Sequence, residues 1–176
     1  MDQEFRPLMM ELVKLYKPQT YVEVGVKHGY TFNWIAPMVP RAVGIDNRNV
    51  EKYINRNPGA EFHCVDSQEF AKTWKDPIDL LFIDADHRFE SVLKDFNAWS
   101  KFLTYGTGLC LLHDTHPMTE RFLEDDRCSS AWRFAHVMRA SEAYNQHFEI
   151  VTLPGPVAGL SIVRRIDWER HLSWKE

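Results

Sequence analysis

Acids and histidines in this chain gather at the ends of apolar runs. Glu23 lies in Tyr21-Val22-Glu23-Val24-Gly25, Asp46 ends Ala42-Val43-Gly44-Ile45-Asp46, and Asp66-Ser67 follows Glu61 to Val65. Asp84-Ala85-Asp86-His87 follows Ile78 to Ile83, and His113-Asp114-Thr115-His116 follows Leu109 to Leu112. Carboxylates so placed can take ribose hydroxyls, an ammonium group or a hard divalent cation, and a neutral imidazole can accept a proton near neutral pH. Each acid could instead cap a helix, and for Asp46 or Asp66 taken alone that alternative stays open. Their joint placement favours a site.

The segment Tyr21-Val22-Glu23-Val24-Gly25-Val26-Lys27-His28-Gly29-Tyr30-Thr31 reads as a first strand running into a tight glycine turn. Gly25 and Gly29 would let backbone approach a ligand where a Cβ would clash, with the next helix presenting its N-terminus there. Three residues separate these glycines, whereas the dinucleotide fingerprint needs a second glycine two positions after the first. Glu23 would repel a pyrophosphate and favour a cationic or hydrogen-bond-donating ligand. That chemistry points away from NAD and towards S-adenosylmethionine. Asp46, 21 residues beyond Gly25, is placed to take both hydroxyls of a ribose.

The elements that must position these residues alternate along the chain. Leu8, Leu12, Leu15 and Tyr16 predict a first helix ending at Lys17-Pro18. Strands are expected at Tyr21 to Val26, Ala42 to Asp46, Glu61 to Val65, Ile78 to Asp84 and Leu109 to His113. Phe89, Val92, Leu93, Phe96, Trp99 and Leu103 mark an amphipathic helix, and Ser129 to Tyr144 a further one. Such alternation argues for an α/β, Rossmann-like, mostly parallel sheet, because parallel strands need crossovers. Phe148 to Leu153 and Gly159 to Arg164, joined through Pro154-Gly155-Pro156, predict an antiparallel closing hairpin. Tyr30, Trp34, Trp132 and Phe134 read first as core or helix-packing residues.

At 176 residues, 44% of them hydrophobic, one domain with a single core is expected, with residues 1–18 as N-terminal helix, 19–164 as core and 165–176 as surface tail. Trp168 and Trp174 would pack back onto the body or onto a second subunit in a homo-oligomer. The net charge of −4, with no lysine or arginine block, argues against nucleic acid as the main partner. Three cysteines, with Cys64 and Cys110 inside apolar runs as small hydrophobes, suit a reducing, cytoplasmic setting. No stretch of about 18 apolar residues suggests a membrane span.

With these residues set out, Val22-Glu23-Val24-Gly25-Val26-Lys27-His28-Gly29-Tyr30-Thr31 resembles motif I of class I S-adenosylmethionine-dependent methyltransferases. The form is that of the metal-dependent catechol, caffeoyl-CoA and sugar O-methyltransferase branch, and the resemblance by motif order runs from Tyr21 to Arg164. It implies the seven-stranded methyltransferase sheet, with five crossover-linked parallel strands, one more, and an antiparallel closing strand. It also implies that Glu23, Gly25, Gly29 and Thr31 hold the methionine part of the cofactor, Asp46 the ribose, Asp66 and Ser67 the adenine edge, and that Tyr30 and Asp84 also contact the cofactor.

Asp84, His113 and Asp114 come from adjacent strand ends and could hold a divalent metal that acidifies an acceptor hydroxyl. The chain departs from the branch in having Thr115 where the Asp-Asn form has its amide, or His113 where the Glu-Asp form has its acid. A histidine ligand shifts preference from Mg²⁺ towards Mn²⁺, Fe²⁺ or Zn²⁺. His87, three residues after Asp84, is the first candidate base, a spacing shared with sugar O-methyltransferases, and His116 is its rival. The expected activity is O-methylation of a small sugar or phenol. A metal-dependent hydroxylase-like relative of the same fold and a cofactor-binding protein without turnover are the alternatives. The segment Pro117 to Ser130 is the leading candidate for a lid, ahead of the first helix or a neighbouring subunit.

Overall fold

The computed structural model describes residues 5–124, 127–155 and 158–166 of the chain. In chain order the elements are α1 (Arg6–Tyr16), β1 (Thr20–Val24), α2 (Phe32–Ile35), β2 (Arg41–Asp46), β3 (Ala60–Cys64), α3 (Ser67–Ala71) and β4 (Leu80–Ile83). They continue with α4 (Phe89–Trp99), β5 (Leu109–His113), α5 (Arg133–Ala140), α6 (Glu142–Asn145), β6 (Phe148–Leu153) and β7 (Leu160–Arg165). The seven strands form one sheet in the order β3-β2-β1-β4-β5-β7-β6. Strands β1 to β5 pair in parallel, and β7 runs antiparallel to both β5 and β6. This is the expected mostly parallel methyltransferase sheet with its closing hairpin.

The central strands are apolar on both faces because both faces are covered. Val22, Val24, Val43, Ile45, Leu81, Ile83 and Leu112 face one way and pack against Val92, Phe96 and Trp99 of α4 and Phe134 and Met138 of α5. Tyr21, Ala42, Leu80, Phe82 and Leu111 face the other way and pack against Met9 and Val13 of α1 and Phe32 and Ile35 of α2. Along α4 the buried positions 92, 96 and 99 follow the helical repeat. At its N-terminal end, the α4 backbone N–H of Phe89 donates to Ser130 Oγ at 2.9 Å.

Several local expectations give way. The helix after the glycine loop is a four-residue turn followed by a 3₁₀ turn at Ala36–Met38, with Pro37 and then Pro40 limiting helical hydrogen bonding before β2. The segment 129–144 divides into α5 and α6, because Ser141 is extended and its carbonyl accepts from the N–H groups of Tyr144 and Asn145. Phe134 is in the core, whereas Tyr30, Trp34 and Trp132 are exposed. Cys110 is buried, but Cys64 is exposed on the edge strand β3, and no disulfide forms among the described residues. Arg165 closes β7, its guanidinium 3.7 Å from the Tyr105 ring centroid, and Ile166 is buried. Trp168, Trp174, Pro156 and the remaining tail lie outside the described residues. Among the described residues no helix is long and apolar enough to cross a membrane.

Gly25 is required for a reason the motif does not state. At φ +93°, a Cβ there would lie 2.5 Å from Ala85 Cα and 2.5 Å from the Asp84 carbonyl oxygen, so the β1 turn and the β4 turn touch through backbone. Gly106 is also left-handed, at φ +76°, but has nothing within 4 Å of an added Cβ. Gly25→Ala is therefore expected to cost about 2–4 kcal/mol of stability from strain plus overpacking, and Gly106→Ala about 1 kcal/mol from backbone strain. Urea unfolding midpoints of the two variants beside wild type will show the difference.

Candidate active site

Register brings the functional residues into one row. Val24 pairs with Ile45 of β2 and with Ile83 of β4, and Ile83 pairs with Leu112 of β5. The next residues, Gly25, Asp46, Asp84 and His113, consequently stand side by side at the carboxyl edge. Chain order reverses between β1 and β4, which opens a crevice at this edge. A cleft of about 740 Å³ occupies it, lined by Glu23, Asp46, Asp66, Ser67, Asp84 and His113 among others. That volume lies within the range of small-molecule sites.

Glu23 is the most constrained of these acids. Tyr21, two residues earlier and so on the same face of β1, donates its hydroxyl to Glu23 Oε2 at 2.5 Å. Burial pushes the Glu23 carboxyl up to about 8, aided by the nearby Asp84 charge and opposed by the Tyr21 hydroxyl, the Phe32 N–H and the Arg6 charge. The carboxyl is thus protonated at neutral pH until a cation comes beside it.

Asp46 is buried and receives the Lys27 N–H on Oδ2 at 2.8 Å and the Arg48 N–H on Oδ1 at 2.9 Å. Each oxygen keeps a lone pair for a ribose hydroxyl. These bonds also fix the loop, in which Lys27 is left-handed at φ 51°. Gly29, at φ +69°, turns the chain under Tyr53, whose carbonyl lies 2.7 Å from an added Cβ. Thr31 and the exposed Tyr30 complete the wall. Asp66 both lines the cleft and caps α3, accepting from the N–H groups of Gln68 and Glu69 at 3.0 Å. Ser67 donates to Asp95, a buried α4 acid whose carboxyl burial pushes up despite that bond.

A second cluster sits at the ends of β4 and β5. One ligand atom from each of Asp84, His87 and Asp114 lies within 4.8 Å of the others. His87 Nε2 is 3.0 Å from Asp114 Oδ2 and 3.5 Å from Asp84 Oδ1, while its Nδ1 donates to the Arg127 carbonyl. Burial alone would lower the His87 pKa, but the Asp84 hydrogen bond and the charges of Asp114 and Asp84 together raise it to about 9. His113 adjoins the cluster, with Nδ1 3.2 Å from Asp114 Oδ2 and 3.6 Å from Asp84 Oδ1. Burial would raise the Asp114 carboxyl, yet His113, His87 and the Cys128 thiol at 3.2 Å hold it below its ordinary value. Asp114 is left-handed at φ 62°, a conformation that aspartate tolerates better than most residues.

The converging triad therefore has His87 where the sequence suggested His113, with His113 alongside. Thr115 accepts from Ser161 Oγ at 2.8 Å, on the β7 side, and does not line the cleft. His116 is exposed, bonded through its N–H to the Ala158 carbonyl and packed over Gly159, and the structure does not bring it to the cleft. The described part of 117–130 supports the cluster through Arg127, Cys128 and Ser130 and contributes no lining residue. At this end the cleft is walled by α1 and the residue before it, through Phe5, Arg6 and Met9. Arg6 carries no motif signal. A charged residue beside Pro7 at a helix start reads as solvent-facing, and only tertiary packing turns it inward.

This fold, with its acid-lined crevice at the point of strand reversal, defines a class I methyltransferase. A family model described as a methyltransferase domain matches residues 22–115, more than half of the chain. The chain belongs to that methyltransferase family, an S-adenosylmethionine-dependent class of enzyme. Among solved structures, the Bacillus cereus O-methyltransferase in complex with S-adenosylhomocysteine is similar with a TM-score of 0.73 at 19% identity, over 94% of this chain and 82% of that one. A Staphylococcus aureus protein provisionally assigned as a caffeoyl-CoA O-methyltransferase has a TM-score of 0.74 at 14% identity, over 94% and 84%. The N-methyltransferase NodS from Bradyrhizobium japonicum WM9 has a TM-score of 0.65 at 15% identity, over 92% and 96%. At such identities the likeness is one of fold.

Glu23 makes stability depend on pH in a defined direction. The folded protein keeps this proton up to about pH 8, whereas the unfolded chain releases it near 4.5. The contribution to stability is complete below 4.5 and is lost as pH rises through 8. Relative to Glu23→Gln, the ligand-free wild type should lose stability progressively between pH 5 and pH 9, as read from urea midpoints across that range. Parallel curves for the two proteins would show that Glu23 is ionised in the fold at neutral pH.

Proposed function

We propose that the protein methylates a hydroxyl of a small acceptor, a sugar or a phenol, using S-adenosylmethionine, with a divalent cation assisting at Asp84 and Asp114. The observation that carries this reading is the meeting of Asp84, His87 and Asp114 at the edge of a cleft whose other side presents Glu23 and Asp46. The cleft fits the cofactor in its chemistry, offering an acid for an ammonium group, a carboxylate with spare lone pairs for a ribose, and Asp66 and Ser67 for the adenine edge. The carboxylates of Asp84 and Asp114, with the His113 imidazole beside them, also form a donor set suited to a divalent cation, which leaves His87 Nε2 for the proton. The acidic balance of the chain supports a small acceptor over a polyanion.

In the reaction an acceptor oxygen attacks the methyl carbon in line with the sulfur. The carbon–sulfur electron pair goes to sulfur, which becomes a neutral thioether, and the hydroxyl proton leaves. Asp84 and the loop from Gly25 to Thr31 position the reactants, and such positioning supplies much of the rate in a displacement of this kind. His87 Nε2 takes the proton, its ring held by the bond from Nδ1 to the Arg127 carbonyl. A divalent cation, when bound, supplies Lewis acidity that makes the hydroxyl easier to deprotonate. By drawing the charge of Asp84 and Asp114 to itself, it would also relax the field that keeps His87 protonated.

Asp46→Ala is expected to weaken S-adenosylhomocysteine by about 1–3 kcal/mol, measured by calorimetry, because two charge-assisted bonds are lost in a buried place. Unaltered affinity would remove Asp46 from the ribose site. Turnover in EDTA should rise with pH to a plateau above about 9, since His87 acts as a base only once its proton is gone. Added Mn²⁺ should move that rise to lower pH, His87→Ala should flatten it, and Asp114→Ala should abolish the metal response while leaving cofactor affinity within about twofold. Indifference of the pH profile to His87→Ala would exclude it as the base.

A further inference from the structure

Among the described residues, Arg6 is a cation without a counterion. Its Nε is buried and has no hydrogen-bond partner among the described residues, and none of the ion pairs formed among those residues includes it. The guanidinium carbon lies 6.0 Å from the centroid of the Trp34 ring, which places α1 against α2 but satisfies no N–H. A partly buried guanidinium left in this way is costly unless something with negative charge meets it.

The same side chain lines the cleft together with Glu23. The two are near enough for the Arg6 charge to act on Glu23, yet they form no ion pair with each other. A cavity that presents an acid and a base separately, without letting them neutralise one another, is matched to a zwitterion. The amino-acid end of adenosylmethionine is such a group, with an ammonium and a carboxylate on one carbon. Glu23 suits the ammonium. The planar fork of arginine suits a carboxylate, which it can bind through two parallel N–H bonds.

We infer that Arg6, from the first turn of α1, binds the methionine carboxylate of the cofactor, so that the helix preceding the sheet supplies one of its anchoring charges. This rests on the methyltransferase reading above and adds to it a residue outside the segment, 22–115, that the family model matches. It also gives α1 a function: the helix forms the wall at the methionyl end of the cleft.

The test compares two ligands on three proteins by calorimetry. S-adenosylhomocysteine has the amino-acid end, and 5′-methylthioadenosine has the same nucleoside and thioether without it. Arg6→Gln should weaken S-adenosylhomocysteine by about 10- to 100-fold, the range for a lost charged hydrogen bond, and change methylthioadenosine by less than about twofold. Arg6→Lys, which keeps the charge and loses the fork, should fall between wild type and Arg6→Gln for S-adenosylhomocysteine. Unchanged S-adenosylhomocysteine affinity in Arg6→Gln, or a change only in the KM of an acidic acceptor, would overturn the inference and leave the methyltransferase reading intact. Equal weakening of both ligands would also overturn it, since the methylthioadenosine arm reports damage to the nucleoside site. A wild type that binds neither ligand would instead overturn the cofactor reading, and this inference with it.

Discussion

Burial of negative charge at the carboxyl edge of an apolar sheet is the constraint on which this structure turns. Glu23, Asp46 and Asp114 are each less than one-tenth exposed, and Asp84 stands between them. Carboxylates taken out of water that close together destabilise the fold unless each finds protons, donors or a counter-charge. The chain answers differently at each one. Glu23 keeps its proton and takes a tyrosine hydroxyl, Asp46 takes two backbone N–H groups, and Asp114 takes two imidazoles and a thiol. These arrangements differ in how readily a ligand can displace them. The backbone bonds of Asp46 are permanent and set the loop, whereas the proton on Glu23 and the proton on His87 can leave when a cation arrives.

The sheet makes that concentration of charge unavoidable. Parallel strands in register end at one edge, and crossover helices return the chain to the opposite edge each time, so whatever follows each strand is delivered to the same crevice. The close approach of Gly25 to Ala85 ties the two strands on either side of the reversal and leaves no room for a side chain between them. The glycine thereby serves the fold as much as any ligand. Loss of that contact would move Asp84 relative to Glu23, which is why backbone packing and site electrostatics cannot vary independently here.

How far the sequence displays this depends on whether a residue's role is set locally. The strands are legible because full burial demands unbroken runs such as Leu80-Leu81-Phe82-Ile83, and their ends are legible because acids interrupt those runs. Five parallel strands and the closing hairpin follow from that pattern. The choice between His87 and His113 as third member of the acid cluster is not local, since it depends on how the 117–130 segment presents the Arg127 carbonyl to His87. Tyr30 and Trp34 look like core by type, but the helix they flank is a single short turn with little surface to bury them. Cys64 belongs to an apolar run only up to the point where β3 proves to be the sheet edge. Arg6 is the extreme case, because an arginine at a helix start has no periodic or motif signature, and its environment is created by Trp34 and Glu23, 28 and 17 residues away in sequence.

The acid-rich character of the cleft bears on which side of the reaction it favours. Adenosylmethionine carries a sulfonium and an ammonium against one carboxylate, while the demethylated product has lost the sulfonium charge. On the proposed assignments, interactions with Glu23, with Asp46 at the ribose and with Arg6 at the carboxylate would be common to both ligands and hold them alike. The charges of Asp84 and Asp114, if the sulfur lies beside them as proposed, would act differently, since they would attract the reactant's sulfonium and have no charge to attract in the product. Uniform interactions bring the cofactor in without changing the barrier, and those that weaken during transfer favour release of what remains. A field that binds the reactant must also fade as the methyl leaves, which by itself would raise the barrier. On the proposed mechanism, removal of the acceptor proton by His87 within the same cluster would offset this, because the positive charge lost at sulfur would reappear on the imidazole beside the same two carboxylates. In that scheme the cluster would keep a cation next to it from start to finish, and the transferred methyl would carry none of that charge away.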